Sequence, residues 1–108
     1  MWWVYVVRCA DGTLYTGVAK RLLARLREHN EDGRRGARYT RGRRPVALYT
    51  ACPCPDRAEA TRLERQVKRL PRARKEALPS RAGWLTAAEA LGMAAADEDA
   101  GVGAVSVV

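Results

Sequence analysis

Residues 2–9 read Trp-Trp-Val-Tyr-Val-Val-Arg-Cys, an aromatic and β-branched run with almost no polar interruption. Such a run suits a strand buried on both faces, because pleated backbone leaves room for side chains crowded at Cβ. Asp11-Gly12 follows at once. That dipeptide signals a tight hairpin, since glycine accepts the positive φ the turn demands and aspartate bonds its own backbone. Leu14, Tyr15 and Thr16 then return as a second, antiparallel strand, which Gly17 breaks. A chain that opens this way must build on an antiparallel pair and cover it from above and below.

The remainder supplies the cover. Leu22, Leu23 and Leu26 recur three and four apart within Arg21–Asn30 and predict a helix with one apolar face. Residues 31–44 place Gly33, Gly36 and Gly42 among six arginines and read as a basic loop ended by Pro45. Val46–Ala51 is a third strand and Cys52–Pro55, with two prolines, a turn. Asp56, with Glu59 three residues on, caps a helix running to about Arg69. Pro71 stops it, a short helix fits Arg72–Leu78, and Thr86 caps a last helix Ala87–Met93. The expected fold is α+β, a small three-stranded antiparallel sheet flanked by helices. Residues 1–80 form the main domain, 81–93 a helical extension and 94–108 a flexible, small-residue tail.

With 108 residues the chain has room for one modest core, which excludes a two-domain enzyme or an eight-fold strand–helix barrel. The net charge is +8, and it is unevenly placed: 1–80 hold 19 basic and 8 acidic residues, whereas 81–108 hold one arginine and four acids. Seventeen of the 20 bases are arginine, whose planar fork matches phosphate oxygens. A polyanion is the first partner this implies, nucleic acid ahead of a membrane surface. No apolar run is long enough to span a bilayer and the N-terminus lacks a signal-like basic region, so the expected compartment is the cytoplasm. The three cysteines are then reduced, and their spacing with His29 matches no common zinc finger.

The chemistry-bearing residues fall in one pattern. Tyr5 and Tyr15 lie on the two strands of the hairpin, and Arg25 and His29 sit i,i+4 on one helix face. Glu64 stands alone among Arg62, Arg65, Lys68 and Arg69. Each has an ordinary reading too: strand tyrosines in a core, a histidine on a helix C-terminal dipole, a solvated arginine, a Glu64–Lys68 surface pair. Together they make a phosphodiesterase kit, with a carboxylate for a divalent cation, a guanidinium for charge developing on phosphorus oxygens, and a phenol or imidazole to take a proton.

Trp3-Val4-Tyr5, Leu14-Tyr15-Thr16-Gly17 and Arg25-Leu26-Arg27-Glu28-His29-Asn30 together resemble the GIY-YIG nuclease superfamily, within it the small stand-alone bacterial single-domain group. The likeness continues through Gly36-Ala37-Arg38-Tyr39-Thr40-Arg41-Gly42 to Glu64, Lys75 and Gly83-Trp84-Leu85. Trp3 and Val4 replace the first motif's glycine and isoleucine, positions that shape the strand. The resemblance implies catalytic roles for Tyr5, Tyr15, Arg25, His29 and Glu64, with Glu64 holding one Mg²⁺ or Mn²⁺. It implies metal-dependent endonucleolytic hydrolysis of DNA phosphodiester bonds. Only about 28 residues remain beyond the core, too few for a separate sequence-reading module, so the expected cleavage is structure-selective, in repair or processing. Arg34, Arg35, Arg38, Arg41, Arg43, Arg44, Lys68 and Arg69 are the expected nucleic-acid contacts, and a protein partner could direct substrate choice. The alternative is a nucleic-acid-binding module with little or no activity, which the basic body supports equally.

Overall fold

The computed structural model describes residues 1–31 and 35–106, with side chains described through Glu98. Strand β1 (Trp2–Arg8) and β2 (Leu14–Ala19) form the expected hairpin, and Gly12 at its turn has φ +84°. Gly17 does not break β2 as expected: it pairs with Tyr5, and the strand runs on to Ala19 because Val18 and Ala19 continue the ladder with Val4 and Trp3. Helix α1 (Leu22–Glu31), a single turn α2 (Arg38–Arg41) and β3 (Ala47–Cys54) follow. Next come α3 (Arg57–Lys68), α4 (Arg72–Glu76), a 3₁₀ turn Leu78–Ser80, β4 (Leu85–Thr86) and α5 (Ala87–Ser106). The sheet is antiparallel in the order β2-β1-β3-β4.

The sheet has four strands, not the expected three. The fourth is two residues long and pairs Leu85 with Ala51 and Thr86 with Thr50. Thr50 Oγ1 donates to Leu85 O at 2.6 Å, so a β3 side chain reinforces the short ladder. Thr86 also caps α5: its hydroxyl accepts from Glu89 N at 3.2 Å while Glu89 Oε1 accepts from Thr86 N at 3.0 Å.

Three further differences have local causes. β3 continues through Pro53 to Cys54 instead of turning at Cys52, because past Ala51 it is paired only with β1 and a proline without N–H is tolerated on that open edge. The basic loop contains the turn α2, which has no apolar periodicity to announce it. Helix α5 runs through Ser106 although residues 94–108 were expected as a tail; the alanine-rich stretch has strong helix propensity.

Alternation along β1 divides the core. Trp3, Tyr5 and Val7 face a cluster completed by Leu22 of α1 and by Ala90 and Ala94 of α5. Val4 and Val6 face the opposite way, onto Ala60 and Val67 of α3 and Leu78. β1 is buried on both faces, as its composition requires. At the end of α1, Asn30 ties the chain back to β3. Its Oδ1 accepts from Val46 N at 2.7 Å and its Nδ2 donates to Val46 O at 3.0 Å, closing the arginine-rich segment as a loop beside α1.

Candidate active site

Tyr5 is directly opposite Gly17 in the β1–β2 ladder, and Tyr15 is opposite Val7, so the two phenols lie on the diagonal of one sheet face. Gly17 leaves the space the Tyr5 ring uses. A Cβ there would fall 2.5 Å from Tyr5 Cζ, closer than any real contact. The second motif's glycine is therefore a steric requirement of the first motif's tyrosine.

His29 closes the set from α1. It is 1% exposed and sits between the phenols, its ring edge-on to Tyr5 and to Tyr15 at centroid distances of 5.7 and 5.6 Å. Its Nε2 lies 2.7 Å from the Tyr5 hydroxyl, and its Nδ1 lies 2.9 Å from Thr40 Oγ1. Burial first, then the Arg25 charge, push its pKa down to about 4 against the opposing pull of Glu28, so the imidazole is neutral at pH 7. Burial also pushes the Tyr5 phenol well above its ordinary range. Tyr15 adds to this rise, the Arg25 guanidinium opposes it, and the Glu64 carboxylate adds a last upward increment.

Tyr5, Tyr15, His29 and Arg25 are brought together on one face. Helix α3, which carries Glu64, packs on the other side of the sheet, and among the described residues the Glu64 carboxylate is paired with Lys68 and with none of these four. Arg25 is held by Glu28, Nη1 to Oε2 at 2.8 Å, and also donates to the Arg35 carbonyl. Glu64 is half-buried and its Oε2 is 3.5 Å from Lys68 Nζ. That is the i,i+4 pair expected of a glutamate in a basic helix. With no group of three His, Cys, Asp or Glu suited to a metal among the described residues, a cation here would be held by one carboxylate and completed by water and phosphate, a mode that suits a hard divalent ion.

The expected nucleic-acid contacts fall into three groups. Arg38, Arg41, Arg44, Lys68 and Arg69 are exposed. Arg35 is exposed too, and its carbonyl is engaged by Arg25. Arg43 is half-buried and engaged within the protein: its Nε donates to Asp11 Oδ2 at 2.9 Å, its Nη1 to Tyr39 O at 2.7 Å, and its guanidinium lies 4.0 Å from the Tyr39 ring centroid. Arg34 lies outside the described residues.

Two residues near the site were not singled out from the sequence. Tyr39 is 39% exposed and stacks on Tyr15 at 5.7 Å with ring planes 20° apart. Thr40 is fully buried against His29. An aromatic residue set among arginines was the available signal for Tyr39. Nothing local signals Thr40, because its partner is eleven residues away.

The family model of the GIY-YIG catalytic domain matches residues 1–77. A UPF0213 protein of Desulfotalea psychrophila is 51% identical over 77 residues, covering 71% of this chain and 69% of that one. A UPF0213 protein of Halobacterium salinarum is 48% identical over 75 residues, covering 69% of this chain and 95% of that one. The solution NMR structure of the UPF0213 protein BH0048 from Bacillus halodurans is 40% identical, with a TM-score of 0.48, and covers 77% of this chain and 87% of that chain. No described helix is long and apolar enough to cross a membrane.

Proposed function

Because this chain belongs to the GIY-YIG nuclease superfamily, in its small UPF0213 branch, we propose that it is a metal-dependent DNA endonuclease. It hydrolyses phosphodiester bonds with structure selectivity, in DNA repair or processing. The observation that carries the reading is the convergence of Tyr5, Tyr15, His29 and Arg25 at one face.

Tyr5 takes the proton of the attacking water on its hydroxyl oxygen while its own proton passes to His29 Nε2, 2.7 Å away. A phenol with so high a pKa is a poor base unless that second transfer accompanies the first. Arg25 depresses His29 basicity at rest. When the guanidinium meets a phosphate its charge is compensated, and the imidazole becomes a better acceptor as substrate arrives. Arg25 also offsets charge growing on the phosphorus oxygens. Tyr15 packs against His29 and holds it toward Tyr5. Glu64 would hold Mg²⁺ or Mn²⁺; bound there, the ion supplies Lewis-acid stabilisation of phosphate oxygens.

Arg38, Arg41, Arg44, Lys68 and Arg69 grip phosphates, which gives affinity with little sequence information. Discrimination then rests on the shape of the DNA or on a protein partner. A second reading, a binding module with little activity, draws on the Lys68–Glu64 and Arg25–Glu28 pairs, which occupy two of the reacting groups.

The test is incubation with labelled duplex, single-stranded, flapped, forked and four-way DNA, with Mg²⁺, Mn²⁺ or chelator. Glu64→Ala is expected to lower cleavage by ~10²–10³-fold while binding stays near normal. Full activity in that variant refutes the metal role, and binding without cleavage in every case selects the second reading.

A further inference from the structure

Thr40 lies in the short turn α2 with 0% exposure, in contact with the candidate site. Its Oγ1 is 2.9 Å from His29 Nδ1 and donates to Ala37 O at 2.9 Å. A hydroxyl has one proton. With that proton given to Ala37, the oxygen faces His29 as an acceptor, and Nδ1 must carry the hydrogen. A neutral imidazole protonated at Nδ1 has its lone pair on Nε2, where the Tyr5 hydroxyl points from 2.7 Å.

We propose that Thr40 is a positioning residue that fixes the tautomer of His29, keeping Nε2 open toward Tyr5. The role rests on the reading of Tyr5 and His29 as the proton-accepting pair. The direction of the chain supports it. Running as Tyr5 O–H to Nε2, Nδ1–H to Thr40 and Thr40 O–H to Ala37 O, it gives every buried proton an acceptor. Run the other way, Nε2–H would donate to the phenol oxygen and Nδ1 would have to accept from Thr40 Oγ1, whose one proton is already given to Ala37 O. It would also block the transfer, because a protonated Nε2 cannot receive the Tyr5 proton. In the assigned direction the transfer balances: Tyr5 regains from water the proton it gives, and the imidazolium formed donates from Nδ1 to Thr40.

The experiment is direct because His29 is the single histidine of the chain. In the full-length ¹⁵N-labelled protein at pH 7, long-range ¹H–¹⁵N spectra are expected to give the Nδ1–H pattern. Thr40→Ser keeps it, and Thr40→Val shifts it toward Nε2–H. On a cleavable DNA, Thr40→Val lowers kcat by about 10²-fold with KM little changed, and Thr40→Ser restores it. An Nε2–H pattern in the unaltered protein overturns the proposal without any variant, as does a Thr40→Val spectrum identical to it. An Nδ1–H pattern lost in Thr40→Val, in a protein that cleaves no DNA, supports the tautomer role and overturns the nuclease reading on which its catalytic meaning rests.

Discussion

Strand β1 presents two faces made from neighbouring residues. Val4 and Val6 enter a layer under α3, where contact with Ala60, Val67 and Leu78 is all they supply. Tyr5, between them in sequence, enters a layer that is equally buried yet carries a hydrogen-bonded line through His29 and Thr40 to a backbone carbonyl. Burial is therefore not what separates scaffold from site. The separation is made by what each strand position brings to its layer: Val4 and Val6 bring no polar side-chain atom, while Tyr5 brings a hydroxyl that joins the line through His29 and Thr40.

The widest gap between the faces is expected in Tyr5→Phe against Val6→Ala. The first should cut cleavage by ~10²–10⁴-fold and leave a folded protein. The second should lower stability by ~2 kcal/mol with turnover unchanged. Parallel denaturation and cleavage assays decide it, and equal losses in both properties would erase the distinction.

The next effect concerns pH. His29 titrates near 4 in the folded chain against an ordinary 6.5, mainly through burial and secondly through Arg25. Between those values the unfolded chain binds more protons than the folded one. Stability is thus complete above about pH 6.5 and falls as the pH drops toward 4, by up to ~3 kcal/mol. Urea melts at pH 7.5, 6 and 5 should show this decline, and His29→Gln should flatten it. A slope that survives in His29→Gln would move its origin away from this face.

Gly17→Ala is expected to cost ~1–3 kcal/mol, because the displaced phenol is fixed by His29, and cleavage should fall with it. Retained activity would show that Tyr5 can shift without consequence. The smallest change is expected from Arg38→Ala, a few-fold weaker DNA binding with a salt slope shallower by ~1. Arg43→Ala, by contrast, should lower thermal stability, since Arg43 joins Asp11, the Tyr39 carbonyl and the Tyr39 ring. Matched gel shifts and melts over a salt series separate the two.

The hairpin was legible because Asp11-Gly12 and the flanking apolar runs act within a few residues of one another. The Asp56 cap was legible for the same reason, and its Oδ1 accepts from Glu59 N at 2.8 Å. What escaped the sequence is non-local. β4 exists only because two residues meet Thr50 and Ala51 across more than thirty positions. α2 is one turn stabilised by contacts with α1 and β2, including the Tyr15–Tyr39 stack and the His29–Thr40 bond. Tyr5, Tyr15, Arg25, His29 and Glu64 were named from motif spacing. The diagonal offset of the phenols was not readable from the sequence, because turn geometry sets the register. Thr40 lies in the stretch that carries the family likeness, but its bond to His29, eleven residues away, is not readable from the sequence.

The bare α-carbon at position 17 has a consequence for anyone who would remake this hairpin. β2 would gain intrinsic strand propensity from valine or threonine there, and a design guided by propensity would choose one. The ring of Tyr5 already occupies the volume that such a substituent needs. Improving the strand by that route would unseat the phenol, so the empty position is as much an instruction as any side chain in the chain.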